Sequence, residues 1–219
     1  MPIKNENTKQ IKSRQRVADH GEVFTNPREV NAMLDLVRDE SFRLDSRFLE
    51  PACGDGNFLI EILCRKLSLL KDIKSQTELE FKSLIAVGSC YGIDILPDNA
   101  EACRERLFAE VLNQIGNKDF TAGYKESLRY MLQKNIVCGD ALTYRTAEGK
   151  PITFCEWTPF AGSMQFSRRD FQFDFLVTQS HQYSLFDEQG EVQSFDEPVK
   201  VFPLVHYTQI HAYDTITHY

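Results

Sequence analysis

Apolar positions along the chain fall into phases that predict alternating helices and strands. Asn26-Pro27, followed by Glu29 and the apolar positions Val30, Met33, Leu34 and Val37, predicts a capped amphipathic helix with Pro27 in its first turn. Arg47-Phe48-Leu49-Glu50 predicts a short strand ending at Pro51. The tight turn Cys53-Gly54-Asp55-Gly56-Asn57 follows, and then helical spacing at Phe58, Leu59, Ile62, Leu63 and Leu67. A polar stretch from Lys71 to Lys82 leads into the apolar runs Leu84–Val87 and Cys90–Ile95, read together as a second buried strand ending in Asp94. Pro97 opens another helix, with Ala100, Cys103, Leu107, Val111 and Leu112 on one face.

Two strand–helix units in succession predict a parallel α/β sheet with right-handed crossovers. Further strands are expected at Asn135–Cys138, Ile152–Cys155 and Phe173–Val177. Beyond Tyr183 the segments alternate without a clear helix, and Glu188-Gln189-Gly190-Glu191 reads as a hairpin turn.

Composition narrows the class. With 219 residues, 42% of them apolar and 16 of them Phe, the chain suits one globular domain with a sizeable core. No stretch reaches the roughly 20 apolar residues of a membrane helix, and Met1–Arg16 has no apolar signal-peptide centre, so a cytoplasmic protein is expected. The six cysteines form no Cys-x-x-Cys pair and read as reduced, mostly buried thiols, with no metal site. His206, His211 and His218 match no common ligand spacing.

A net charge of −7 rules out a surface that is basic throughout, because phosphate contacts need clustered Lys and Arg. The best local basic candidate is the arm of residues 1–20, with Lys4, Lys9, Lys12, Arg14 and Arg16; it reads at least as readily as a solvated tail as it does as a grip on DNA or RNA.

The candidate chemistry sits at the predicted strand ends. A strand that ends in Gly54-Asp55-Gly56 before a helix lets a ligand approach the backbone and presents unpaired N–H groups to a carboxylate or phosphate. The loop lacks the third glycine of a dinucleotide fingerprint. Asp94, in Gly-Ile-Asp-Ile, is placed to reach ribose hydroxyls from the second strand end. Asp140, in Ile136-Val137-Cys138-Gly139-Asp140-Ala141-Leu142, can accept from an adenine amine while a neighbouring N–H donates to the ring. In order, the three ends describe an adenosine pocket.

On these residues the chain resembles the S-adenosyl-L-methionine (SAM)-dependent adenine-specific DNA methyltransferases of restriction–modification systems. Glu50-Pro51-Ala52-Cys53-Gly54-Asp55-Gly56-Asn57-Phe58 matches that family's cofactor loop, and Gly21–Pro27 resembles the segment preceding it. The resemblance implies a doubly wound, mostly parallel Rossmann-like sheet with helices on both faces over residues 21–183, and a truncated or irregular C-terminal part over 184–219. It implies that Phe24 and Thr25 face the cofactor, that Gly54 and Gly56 line its methionine portion, and that Glu50, Pro51 and Ile95 are also cofactor-binding. Asp94 would lie at the ribose, and Asp140 with Ala141 at the adenine.

One motif departs from the family. The fourth strand should end in Asn/Asp-Pro-Pro-Tyr/Phe, which accepts the target amine and stacks on a base flipped from the duplex. Here Phe173–Val177 is followed by Thr178-Gln179-Ser180-His181-Gln182-Tyr183. A modified catalytic site would use Gln179 as acceptor and Tyr183 as stacking ring, although Gln moves the acceptor and loss of both prolines removes the rigidity that aims it. His181 reads as a solvated loop residue, and Trp157 as core rather than as a base-stacking platform.

Only about 36 residues follow Tyr183, so target recognition is expected from a partner subunit that presents DNA. Two functions stand: a methyltransferase or modification subunit, or a degenerate SAM- or nucleic-acid-binding subunit of a defence assembly. A methyltransferase for RNA or a small molecule is a weaker third.

Overall fold

The structure is a computed structural model that describes residues 15–16, 25–116, 119–181 and 198–215, with the backbone alone for 178–181. Helix α1 (Pro27–Asp35) starts as its sequence dictates: the Asn26 side chain accepts the Arg28 N–H at 2.9 Å, and Pro27 occupies the first turn. It buries Val30 and Leu34 and leaves Met33 and Val37 exposed, a narrower face than the expected four positions. The single-turn helix α2 (Arg38–Ser41) leads to strand β1 (Phe48–Glu50).

The crossover from β1 to β2 (Cys90–Asp94) carries two helices, α3 (Asn57–Ser68) and α4 (Gln76–Gly88). The expected strand over Leu84–Val87 is instead the last turns of α4. The Ser75 hydroxyl caps that helix at Glu78 N–H, and eight of its residues are buried, so its apolar positions lose the one-sided spacing that marks a surface helix. The next crossover carries α5 (Pro97–Gln114) and α6 (Tyr124–Asn135), and leads to β3 (Ile136–Asp140). In α5, Ala100, Cys103, Leu107 and Val111 are buried as expected. Helix α6 was not foreseen; its apolar residues are separated by Lys125, Glu126, Arg129 and Lys134.

Strands β1, β2 and β3 are parallel and lie side by side in chain order, with the two-residue strand β4 (Arg145–Thr146) antiparallel beyond β3. All five residues of β2 are buried. Its two faces separate two cores. On the Cys90 and Gly92 side, a β-carbon at Gly92 would stand 3.0 Å from Cys53 and Leu59, so glycine lets the loop and α3 close onto the strand. On the other side, Tyr91 and Ile93 pack with Ile152, Phe154 and Phe173.

A second, antiparallel sheet supplies that covering. Strand β5 (Thr153–Phe160) pairs along its whole length with β6 (Gln165–Gln172), and β6 also pairs with β7 (Lys200–Val201) and β8 (Val205–His206). The expected strand over Phe173–Val177 is instead the start of helix α7 (Phe173–His181). Phe173 opens the helix edge-on to Phe154 and Tyr144, so its role is to fill the smaller core rather than to extend the sheet. Among the described residues, therefore, β1 forms one edge of the parallel sheet and no fourth strand lies beside it.

The fold is thus α/β with one mostly parallel and one antiparallel sheet. The 3-10 segment Tyr207–Thr215 packs against α6 and buries Tyr207, Ile210 and Tyr213 in the main core, so residues 200–215 belong to the same packed body. Trp157 is core: its indole N–H donates to Asn135 Oδ1 at 2.8 Å. All six cysteines are free, with Cys53, Cys90, Cys103 and Cys155 buried. No helix among the described residues is long and apolar enough to cross a membrane. The expected hairpin turn at 188–191 lies outside the described residues.

Candidate functional site

Parallel pairing puts the C-terminal ends of β1, β2 and β3 on one edge, where open α/β sheets bind ligands. The loop after β1 makes its turn through two left-handed glycines, Gly54 at φ 55° and Gly56 at φ 96°. Gly56 is also sterically fixed, because a β-carbon there would come 2.8 Å from Cys103 Sγ of α5. The turn closes with Gly56 N–H donating to Cys53 C=O at 2.9 Å, and Cys53 N–H docks on Ile93 C=O at 2.8 Å. Among the described residues no side chain caps the first turn of α3 that follows, so its N–H groups would face an anion there unopposed by a cap.

The carboxylate of Asp94 is the hub of this edge. Its Oδ2 accepts Gly54 N–H at 2.8 Å, and its Oδ1 accepts Leu96 N–H at 2.9 Å and the Asn99 amide at 3.2 Å. A carboxylate offers about four lone-pair sites, so these three donors among the described residues leave room for one more. Asp140, at the end of β3, uses Oδ1 to accept Leu142 N–H at 2.8 Å, and no partner holds its Oδ2 among the described residues. Ala141 packs against the smaller core, and Ile95 is exposed beside Asp94.

Glu50 closes the β1 end. Burial pushes its pKa above the ordinary carboxylate range, partly countered by the Ala52 N–H that it accepts at 3.3 Å. Pro51 is exposed in the turn. Cys53 lies under the loop, its thiol pushed up by a hydrogen bond with Cys103 and by burial, so it is an inert packing group rather than a nucleophile.

Two arrangements around the loop were not legible in the sequence. From α5, Arg106 donates to Asp55 C=O at 2.7 Å and to Asn57 Oδ1 at 3.0 Å, and it pairs with the Asp55 carboxylate. Asn57 in turn donates to Thr25 C=O at 3.3 Å, which places the Thr25 backbone against the loop. Arg16 reaches Asp98 with both terminal nitrogens, at 2.8 and 3.1 Å, and Asn99 Oδ1 at 3.2 Å. This arginine of the basic arm is therefore engaged beside Asp94 rather than left as a free grip on phosphate. The only sequence trace of either is that Asn99 falls in the first turn after Pro97; the loop contacts of Arg106 span 49 and 51 positions.

Of the two residues expected to act on a substrate, only the backbone of Gln179 is described. Gln179 lies within helix α7 rather than in a loop at the end of a strand, because Phe173–His181 is helical. Phe24 and Tyr183 lie outside the described residues, as does His218. His206 and His211 bond Thr208 and Ser127 respectively, and no group of metal-ligating side chains occurs among the described residues.

A cavity of about 330 Å³ opens elsewhere, along the outer edge of β1, between Leu49, Phe154, Phe171 and Leu176. No protein-family model, curated protein or solved structure matches this chain.

Proposed function

We propose that the chain is a SAM-binding protein of the adenine-specific DNA methyltransferase type, with a Rossmann-like cofactor half, that serves as a methyltransferase or modification subunit beside a partner that presents DNA. The observation that carries this reading is the bond from Gly54 N–H to Asp94 Oδ2, which brings the second strand's acid against the glycine turn at the sheet's C-terminal edge.

The residues suit the cofactor. Gly54 and Gly56 give the turn the left-handed backbone that brings it to the sheet's edge, and the start of α3 offers N–H groups to the methionine carboxylate. The remaining lone pair of Asp94 would accept one ribose hydroxyl, and Oδ2 of Asp140 would accept the adenine amine. Thr25, fixed by Asn57, and the half-buried Glu50 would border the methionine end. When bound, SAM supplies a methyl group on a sulfonium, which needs positioning more than acid–base assistance. The chain's own residues would hold the donor, exclude water through the closed loop and fix the donor's orientation.

A second reading is favoured by one observation: Gln179 belongs to a helix, so no polar acceptor ends a fourth strand beside β1 among the described residues. On that reading the chain binds SAM or nucleic acid in a defence assembly and transfers no methyl group by itself. A methyltransferase for RNA or a small molecule would share the cofactor pocket, since the pocket does not fix the acceptor.

Calorimetric titration with SAM, followed by transfer of labelled methyl to mixed-sequence DNA, separates these readings. Binding that Asp94→Ala abolishes, with transfer, supports the enzyme; such binding without transfer supports the cofactor-binding subunit. Absence of binding overturns both.

A further inference from the structure

The outer side of β1 combines three features that no part of the proposed cofactor site uses. Phe48 N–H donates across to Ser89 C=O at 2.9 Å, and in a parallel ladder alternate residues face opposite neighbours. The peptide groups of Arg47 and Leu49 therefore point away from β2, where no strand pairs among the described residues. Pro51, in the same phase, has no N–H, so this free edge ends there.

Next to that edge lies the apolar cavity of about 330 Å³, with a floor of Tyr91, Phe154 and Phe173 and walls of Leu49, Phe171 and Leu176. Leu49 is 43% and Leu176 38% exposed, so the walls open to solvent. At the rim, Arg47 and Arg169 share one carboxylate, that of Glu156, which among the described residues leaves one positive charge in excess.

We propose that this edge is a docking site for an extended peptide segment of another protein, apolar at alternate positions and acidic on its flank. The donor and acceptor of Leu49 match another backbone rather than a small anion. Period-two side chains of an added strand would enter the cavity between β1 and β6, and the excess charge of Arg47 and Arg169 selects a flanking carboxylate. The site is independent of the cofactor edge: it uses the flank of β1, whereas the proposed cofactor edge lies beyond its C-terminal end.

Fluorescence anisotropy of the full chain with a labelled Glu-Val-Thr-Val-Thr-Val peptide tests this. Saturable binding is expected, weakened about fivefold when the central valine amide is N-methylated, the size of one lost backbone hydrogen bond. Leu176→Glu should abolish it while leaving SAM titration and circular dichroism unchanged. Arg47→Glu should reverse the preference, so that a Lys-flanked peptide binds better than the Glu-flanked one. Absence of binding, or equal affinity for the N-methylated peptide, overturns the proposal. Binding of 8-anilinonaphthalene-1-sulfonate that blocks a backbone-insensitive peptide signal would make the cavity a small-anion site instead, and peptide-resistant dimerisation would make the edge a contact between copies.

Discussion

The main-chain N–H of Gly54 donates to Oδ2 of Asp94 at 2.8 Å, tying together residues 40 positions apart. This bond joins the end of β2 to the turn after β1, and it holds the turn in the shape that its two left-handed glycines permit.

Removing the hub should cost both stability and ligand. Asp94→Ala leaves the N–H groups of Gly54 and Leu96 and the Asn99 amide without their acceptor in a site 8% exposed. A loss of about 2–3 kcal/mol in urea unfolding is expected, since each buried unpaired donor costs roughly 1–3 kcal/mol when unrelieved. SAM titration should show no binding. A variant as stable as the parent would mean that Asp94 does not organise the loop.

Gly56→Ala tests the loop by sterics. The new β-carbon would stand 2.8 Å from Cys103 Sγ at φ 96°, so the two penalties can be separated. About 2–3 kcal/mol of destabilisation is expected, combining left-handed strain with overpacking. Adding Cys103→Ala should restore the steric part and leave about 1 kcal/mol of backbone strain. Strictly additive single and double variants in a thermal denaturation cycle would show that the thiol is not the obstacle.

Acid should loosen the C-terminal segment. Burial works against the charge of Asp214, but hydrogen bonds from Lys134, Tyr130 and Arg168 outweigh it and hold its pKa at about 2. A carboxyl held below its unfolded value stabilises the fold above that unfolded value, near 4, and loses this contribution as pH falls toward 2. The side chain is 47% exposed, so solvent screening keeps the effect below about 1 kcal/mol. Asp214→Asn should flatten the stability profile between pH 4 and 2 in denaturant titrations, and an unchanged slope would assign the acid response to other carboxylates.

Arg168 should be the most costly surface-to-core connection to cut. It is 4% exposed in its side chain, pairs with Asp170 and Asp214, and lies 4.1 Å from the Phe202 ring. Arg168→Ala leaves Asp170 buried without its partner and should destabilise by about 3–5 kcal/mol in urea unfolding. Arg168→Met, which keeps the stacking volume, should lose nearly as much if the ion pair dominates and much less if packing does.

The candidate site was more legible than the fold around it. The glycine turn and the acids Asp94 and Asp140 could be named from sequence because turn chemistry and strand ends are local properties, and parallel pairing then gathers them. The clamp from Arg106 and the tie from Arg16 to Asn99 could not, because each joins segments that are distant along the chain. Strand β6 was hidden for a related reason: Arg168 and Asp170 satisfy one another inside the protein, so its buried face reads as polar.

What the sequence alone determined is the succession of strand, glycine turn and helix at β1 and α3, the capped start of α1, the proline start of α5, and the core face of α5, all set within a few residues by sterics and periodicity. The tertiary structure decided the rest. Leu84–Val87 and Phe173–Val177 are short apolar runs that either period can accommodate, and both became helical through what they pack against: the main core for α4, and Phe154 with Tyr144 for the first turn of α7. That choice leaves β1 at an edge among the described residues and opens the cavity beside it. A short run carries too little period of its own to choose a partner, so burial chooses its conformation.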